Sequence, residues 1–338
     1  MKNALFATTA FVAAGLVAGA AQAADPVTAS VSGYMHAGIG YVDRKGTDED
    51  IGVMRDGEIH FSARGTSDNG LTFRGQVELE AFTSGDQIDE NWVEVGGAFG
   101  RVRIGGDDHA SYNLATGPIF SAGAKIGWYD DFGESNVPGS YLTNNRFSDT
   151  VGIQYYTPTI AGFIGGVSYH PAGGVDGGND TNVMATSAQT TGRGNDVLSF
   201  GLNFNQDFQG IGVTLSGGYD YVNSGLPAGV DDDGWSVGAR LDYAGFTLGG
   251  LYADGVGLAS DDGEWVINGG YETGPWSAVV GYSLGYDVSG TNNDSQKIGA
   301  AVGYALAPGV TTSVGFEWAD ADDLGEGAGA MGWVTLSF

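Results

Sequence analysis

Large apolar side chains alternate with small or polar ones, residue by residue, through most of this chain. In Leu198-Ser199-Phe200-Gly201-Leu202-Asn203-Phe204 every second side chain is large and apolar. The stretches Ile211 to Tyr219, Trp235 to Tyr243 and Trp276 to Tyr282 repeat the pattern. Successive side chains of a strand point to opposite faces, so each stretch describes a strand with one apolar and one polar face. The 61 glycines weigh against helices. Beyond residue 23 no run approaches the ~20 apolar residues of a membrane-spanning helix.

The connections have an order of their own. Short turns stand at Ser67–Gly70, Ala98–Gly100, Pro158–Gly162, Asn205–Gly210, Tyr243–Gly245, Thr273–Pro275 and Ala307–Gly309. Longer acidic, glycine-rich segments lie near 43–56, 83–90, 107–149, 171–194, 222–234, 254–263, 287–296 and 319–329. Short and long connections strictly interleave, which predicts sixteen strands in an up-and-down meander, long loops at one rim and short turns at the other. With an even count both termini finish at the short-turn rim, where the first and last strands can pair and close the sheet.

A closed ring of sixteen strands is too wide for side chains to fill. Its polar face must line water and its apolar face must meet hydrocarbon, and a bilayer accepts strands only in a closed barrel that leaves no backbone group unpaired. Aromatics near strand ends (Tyr41, Trp92, Trp235, Tyr243, Trp265, Tyr271, Trp276, Tyr286 and Trp318) fit the interfacial girdles of such barrels. The expected fold is an all-β, sixteen-stranded antiparallel transmembrane barrel. Other classes fall away. Without cysteine there is neither a disulfide scaffold nor a thiolate metal site, and a net charge of −28 opposes a nucleic-acid partner.

Residues 1–23 read as a secretory leader. Lys2 supplies the positive end, Ala4 to Ala20 the apolar stretch and Ala21-Gln22-Ala23 the cleavage site, so the barrel is expected over 24–338.

Three segments carry a family resemblance. Val93 to Gly105 (VEVGGAFGRVRIG) resembles the strand–turn–strand signature of Gram-negative general diffusion porins, most closely those of alphaproteobacteria. Arg146 to Phe163 is similar to their segment leading out of the third loop, and the terminal Phe338 to their assembly signal. The resemblance implies a homotrimer in the outer membrane, both termini periplasmic, with the third loop folded inward to narrow the channel.

Period two also sorts the charges. On the second strand Ile59, Phe61 and Ala63 face lipid, which turns Glu58, His60, Ser62 and Arg64 to water. The third strand puts Arg74, Gln76, Glu78 and Glu80 inward, and the fifth Arg101 and Arg103. An arginine at mid-membrane depth on the lipid side costs ~2–4 kcal/mol, so this parity is enforced. Arg64, Arg74 and Arg103, with Arg101, form the expected basic wall of a pore constriction. A structural alternative is that they pair with lumen carboxylates such as Glu58 and Glu78. The long segment 107–149 concentrates Asp130, Asp131 and Glu134 among aromatics, and as an inward-folded loop it supplies the acidic side. Charged rings bias conduction by sign, and the acidic chain predicts a cation preference.

The function expected is passive diffusion of ions and small hydrophilic solutes, without a cofactor. A solute-selective channel and a non-conducting adhesive barrel are the alternatives, the first requiring an ordered aromatic track and the second a plug or passenger domain. His36, His60, His109 and His170 come with no nucleophile motif, so no enzyme is expected. The acidic segments 43–56 and 319–329 could share divalent cations with anionic lipid headgroups.

Overall fold

The computed structural model describes residues 25–44, 50–82, 87–116, 149–173, 185–186, 194–226, 232–255, 263–286, 294–322 and 325–338. The leader 1–23 lies outside them. The first strands are β1 (Asp25–Arg44), β2 (Asp50–Thr66), β3 (Thr72–Glu80), β4 (Ile88–Gly97) and β5 (Gly100–Gly106). One helical turn, α1 (Ala110–Asn113), precedes β6 (Val151–Tyr156), β7 (Phe163–Ala172), β8 (Asn195–Phe208) and β9 (Ile211–Ser224). Then come β10 (Asp233–Tyr243), β11 (Phe246–Asp254), β12 (Gly263–Thr273) and β13 (Trp276–Tyr286). The barrel is completed by β14 (Ser295–Ala307), β15 (Val310–Ala321) and β16 (Gly325–Ser337).

Each strand runs antiparallel to its chain neighbours, and β1 pairs with β16 to close the barrel. Met35 lies opposite Leu336 and Ala37 opposite Val334 along this seam. The terminal residue is part of it: Gly33 and Phe338 exchange main-chain hydrogen bonds of 2.9 and 3.0 Å. Two short turns, Gln209-Gly210 and Ala244-Gly245, hold both central residues at positive φ (59° and 90°, 51° and 85°). That geometry matches the twist of the flanking strands, and glycine at the second position adopts it without penalty.

The outer face is largely apolar; Arg55, which the parity of β2 turns outward and which lies 5.0 Å over the Phe82 ring, is an exception. Val31, Phe61, Val93, Ile104, Phe200, Leu215, Val237, Leu248, Ile267, Val280, Val302 and Val314 are all exposed on this face. Aromatic pairs flank this belt. Phe246–Tyr271 (4.3 Å between rings) and Trp276–Tyr304 (4.7 Å) lie beside the short turns, and Trp235–Tyr252 (5.0 Å) and Trp265–Tyr282 (5.5 Å) lie toward the long loops. Trp235 and Tyr243 end the outward row of β10 about 26 Å apart at ordinary strand rise, close to the height of a bilayer's apolar band.

Trp92 is a correction to the girdle. Val93 and Val95 hold the outer face of β4, so Trp92 turns inward, opposite Gln76 and Gly105. The acidic segments 43–56 and 319–329 are also largely strand: β1 continues to Arg44 and β2 begins at Asp50, while β15 reaches Ala321 and β16 begins at Gly325. Alternation continues there: Ile51 and Val53 are exposed on the outer face, and Asp56 lies within β2 on the inner face, 3.0 Å from His36. The turn expected over Asn205–Gly210 shortens for the same reason, since Asn205, Gln206 and Asp207 stay in the ladder opposite Thr214, Val213 and Gly212.

Buried apolar side chains gather in small inner clusters rather than one core. Val279, Ala301, Met331 and Trp333 pack with Val42 and Met54, and Ala110, Leu114 and Tyr156 pack with Ile164.

Candidate functional site

One register row crosses the inner wall from β2 to β9. Arg64 lies opposite Arg74, Arg74 opposite Glu94, Glu94 opposite Arg103 and Arg103 opposite Gln154. The row continues through Ser168 and Ser199 to Asp220. All four arginines expected to face inward therefore do so, but they fall into two kinds.

Arg103 and Arg101 are ion-paired. The Arg103 guanidinium lies 3.2 Å from Glu94 and 2.7 Å from Asp107 and 3.7 Å over the Trp92 ring. Arg101 reaches Glu94 at 3.3 Å and stacks over Tyr156 at 4.3 Å. Glu94 and Asp107 are only 4% and 1% exposed, so the arginines balance charges that burial would otherwise penalise. The expected pairing with lumen acids holds here, through Glu94 and Asp107 rather than Glu58 and Glu78. Arg64 and Arg74 are exposed, and neither has an ion pair or side-chain hydrogen bond among the described residues.

The start of the third loop docks on the inner wall next to the paired arginines. Its main-chain N–H groups, which no helix or sheet would otherwise satisfy, donate to wall serines: Ala110 to Ser168 Oγ (3.0 Å), Ser111 to Ser199 Oγ (2.9 Å) and Thr116 to Ser216 Oγ (2.8 Å). Asn203 Nδ2 donates to the Leu114 carbonyl at 2.9 Å, and Gln154 Nε2 to the Asp108 carbonyl at 2.7 Å. The wall beneath is glycine. A Cβ at Gly201 would run into the Ala110 carbonyl, one at Gly218 into the Ser111 side chain and one at Gly238 into the Thr116 carbonyl. The missing side chains let loop backbone lie directly on sheet backbone. Residues 107–116 are thus folded inward; Asp130, Asp131 and Glu134 lie outside the described residues.

The docked segment is acidic at its root. Asp108 is 9% exposed with Oδ1 unpartnered among the described residues. Burial, followed by the neighbouring charges of Asp149, Glu90, Asp107 and Asp89, holds its carboxyl well above the ordinary carboxylate range. Asp107 is also pushed up by burial, with Arg103 opposing the shift.

The histidines divide likewise. His36 and His60 face inward as expected, beside Asp56 (3.0 Å) and Glu58 (3.0 Å). His109 caps α1, and His170 is fully buried against Thr150. His109, Ser111 and Asp220 meet, but Ser111 Oγ donates directly to both Asp220 oxygens (2.9 and 2.8 Å) and all three are buried. A hydroxyl so engaged clamps the loop and is not an available nucleophile.

Sequence reasoning missed Glu94, Asp107, Trp92 and Tyr156. The signal for Glu94 was present: Gly97 pairs with Gly100 around a two-residue turn, which sets Glu94 opposite Arg103. The loop partners had no such signal.

A closed sixteen-stranded barrel with an apolar exterior and charged, polar residues inside is a bilayer-spanning channel. The model of the Gram-negative porin family matches residues 7–324, and the chain belongs to that family. It is an outer-membrane porin of transmembrane β-strands. OmpT, an outer membrane protein of Vibrio cholerae solved in trimer form, superposes with a TM-score of 0.62 at 15% identity, over 93% of this chain and 100% of that one. A mutant of the Rh. blastica porin superposes with a TM-score of 0.60 at 18% identity, over 92% and 100%. At such identities the likeness is one of fold. No curated protein sequence matches the chain.

Proposed function

We propose that this porin is a general diffusion channel for ions and small hydrophilic solutes, with a transverse field at its constriction. Arg64 and Arg74 supply the free positive wall. Arg101 and Arg103 belong to the same wall but chiefly hold Glu94 and the root of the third loop. Asp130, Asp131 and Glu134, further along that loop, supply the facing negative charge. Polar solutes align in such a field, while apolar ones must disrupt ordered water. At a Debye length of ~8 Å the two charge sets are only partly screened across a pore.

The observation that carries this reading is the Arg64–Arg74 pair. Like charges directly opposite on adjacent strands destabilise a sheet, and here both are exposed with no ion pair among the described residues. A channel that uses the charge on passing solutes accounts for their retention. We further infer a homotrimer, periplasmic termini, removal of residues 1–23, no enzymatic activity and no cofactor required for conduction.

Recording in planar bilayers tests the reading. Stepwise conductance with potassium permeating faster than chloride is expected, and replacing Arg64 and Arg74 by alanine should move the reversal potential further toward potassium. An unchanged reversal potential in that double variant removes both residues from the constriction.

A further inference from the structure

Two of the inward-facing acids left over from the basic wall converge on a histidine. His60 on β2 lies directly opposite Glu78 on β3, and Glu58 precedes His60 by one full period on the same inner face. His60 Nε2 is 3.0 Å from Glu58 Oε2 and 3.6 Å from Glu78 Oε2, and one ligand atom from each of the three residues lies within 4.8 Å of the others. We propose that Glu58, His60 and Glu78 form a binding site for a divalent transition-metal ion of the zinc class on the lumen wall.

The 3.0 Å approach of Nε2 to Glu58 is within hydrogen-bond length but is not aligned for one, and both distances also suit two ligands of one ion. Zinc binds imidazole nitrogen and carboxylate oxygen at about 2.0–2.2 Å, so a tetrahedral site sets its ligand atoms about 3.4 Å apart. The two distances from Nε2 bracket that value. Nε2 is buried and, among the described residues, has no aligned hydrogen-bond partner despite the nearby carboxylates; Glu58 Oε1 is in the same condition. Glu78 is oriented from behind: its Oε1 accepts from Gln76 Nε2, and Gln76 Oε1 accepts from Ser62 Oγ at 3.0 Å. Outer partners of this kind fix ligating carboxylates in metal sites.

The donor set chooses the class of ion. A neutral imidazole with two carboxylates favours zinc and its neighbours, whereas magnesium demands near-octahedral oxygen and keeps its waters. A divalent ion also cancels the two carboxylate charges. The site is reachable, since the His60 side chain is 27% exposed on the lumen side.

Occupancy would change conduction, a consequence that rests on the channel reading. The His60–Glu78 pair and the Arg64–Arg74 pair are on the same face of the same two strands, about 13 Å apart at ordinary strand rise. Neutralising these two acids removes negative charge from the wall that carries the arginines and lowers cation preference.

The test pairs a binding measurement on the folded, detergent-solubilised protein with bilayer recording. Zinc should bind the wild-type protein in the micromolar range. Both His60→Ala and His60→Gln should lose one equivalent or weaken it at least tenfold, with heat-resistant electrophoretic migration confirming that each variant is folded. Micromolar zinc, but not magnesium at equal concentration, should shift the wild-type reversal potential toward chloride and leave both variants unmoved. Zinc binding of equal stoichiometry and affinity in wild type and variants overturns the site, as does an absence of binding in a conducting wild-type channel. Histidine-dependent binding by a protein that conducts nothing supports the site and overturns the channel reading instead.

Discussion

Arg64 and Arg74 stand directly opposite each other on β2 and β3, and both are exposed on the inner wall. One register step beyond Arg74 lies Glu94, yet that acid is taken up by Arg101 and Arg103. Among the described residues the wall thus separates two cations without an ion pair from two committed ones, and the two kinds respond differently to substitution.

Replacing Arg64 and Arg74 by alanine should raise cation selectivity and leave stability within about 1 kcal/mol of the parent, because a like-charge pair across strands contributes at most that much. Reversal potentials in a salt gradient, with denaturant midpoints on the same samples, check both parts.

Arg103→Ala should behave oppositely. It leaves Glu94 and Asp107 buried with one cation fewer, and removing one partner of a buried ion pair costs about 3–5 kcal/mol. A large drop in denaturation midpoint and faster proteolysis within 107–149 are expected. A midpoint equal to that of the parent would show that the loop root is held elsewhere.

Gly201→Leu and Gly238→Leu should dislodge the docked loop segment without opening the barrel. Their side chains would occupy the space taken by the carbonyls of Ala110 and Thr116, whereas the outward row on each strand is untouched. Electrophoretic resistance to heat should persist, while single-channel conductance changes and becomes noisier.

The docking should also depend on pH through Asp108. Its carboxyl titrates well above the ordinary range because it is buried among Asp149, Glu90, Asp107 and Asp89. A carboxyl with a raised folded-state pKa binds its proton more tightly when folded, so stability is fullest at low pH and falls as pH rises from about 4 toward the raised value. Asp108→Asn keeps the main-chain carbonyl that accepts from Asn113 and Gln154 and removes the charge. The variant should melt higher than wild type at pH 7, the two converging near pH 4. A lower midpoint at pH 7 contradicts the sign of this argument.

Period-two parity made the barrel legible. Once Ile59, Phe61 and Ala63 are taken as outward, the inward placement of Arg64 follows, and the same rule applies to Arg74, Arg101 and Arg103. It turns Trp92 inward too, because Val93 and Val95 after it take the outward positions of β4. Parity says which face a residue takes but not which neighbour it meets. Neighbours depend on register, which can be read where a two-residue turn sets it, as between Glu94 and Arg103, and is obscure across the longer connection between Arg64 and Arg74. The loop docking was the least legible part. Ser168, Ser199 and Ser216 are ordinary lumen residues until main-chain donors arrive from segments of distant sequence, and Gly201, Gly218 and Gly238 acquire meaning only as the floor beneath them.

Swelling of liposomes that carry the purified protein, in uncharged sugars of graded mass, tests the open, wet lumen most directly. An open lumen predicts swelling rates that fall smoothly with solute mass and never saturate with concentration. Liposomes that do not swell in the smallest sugar, or that swell saturably for one sugar alone, would contradict it.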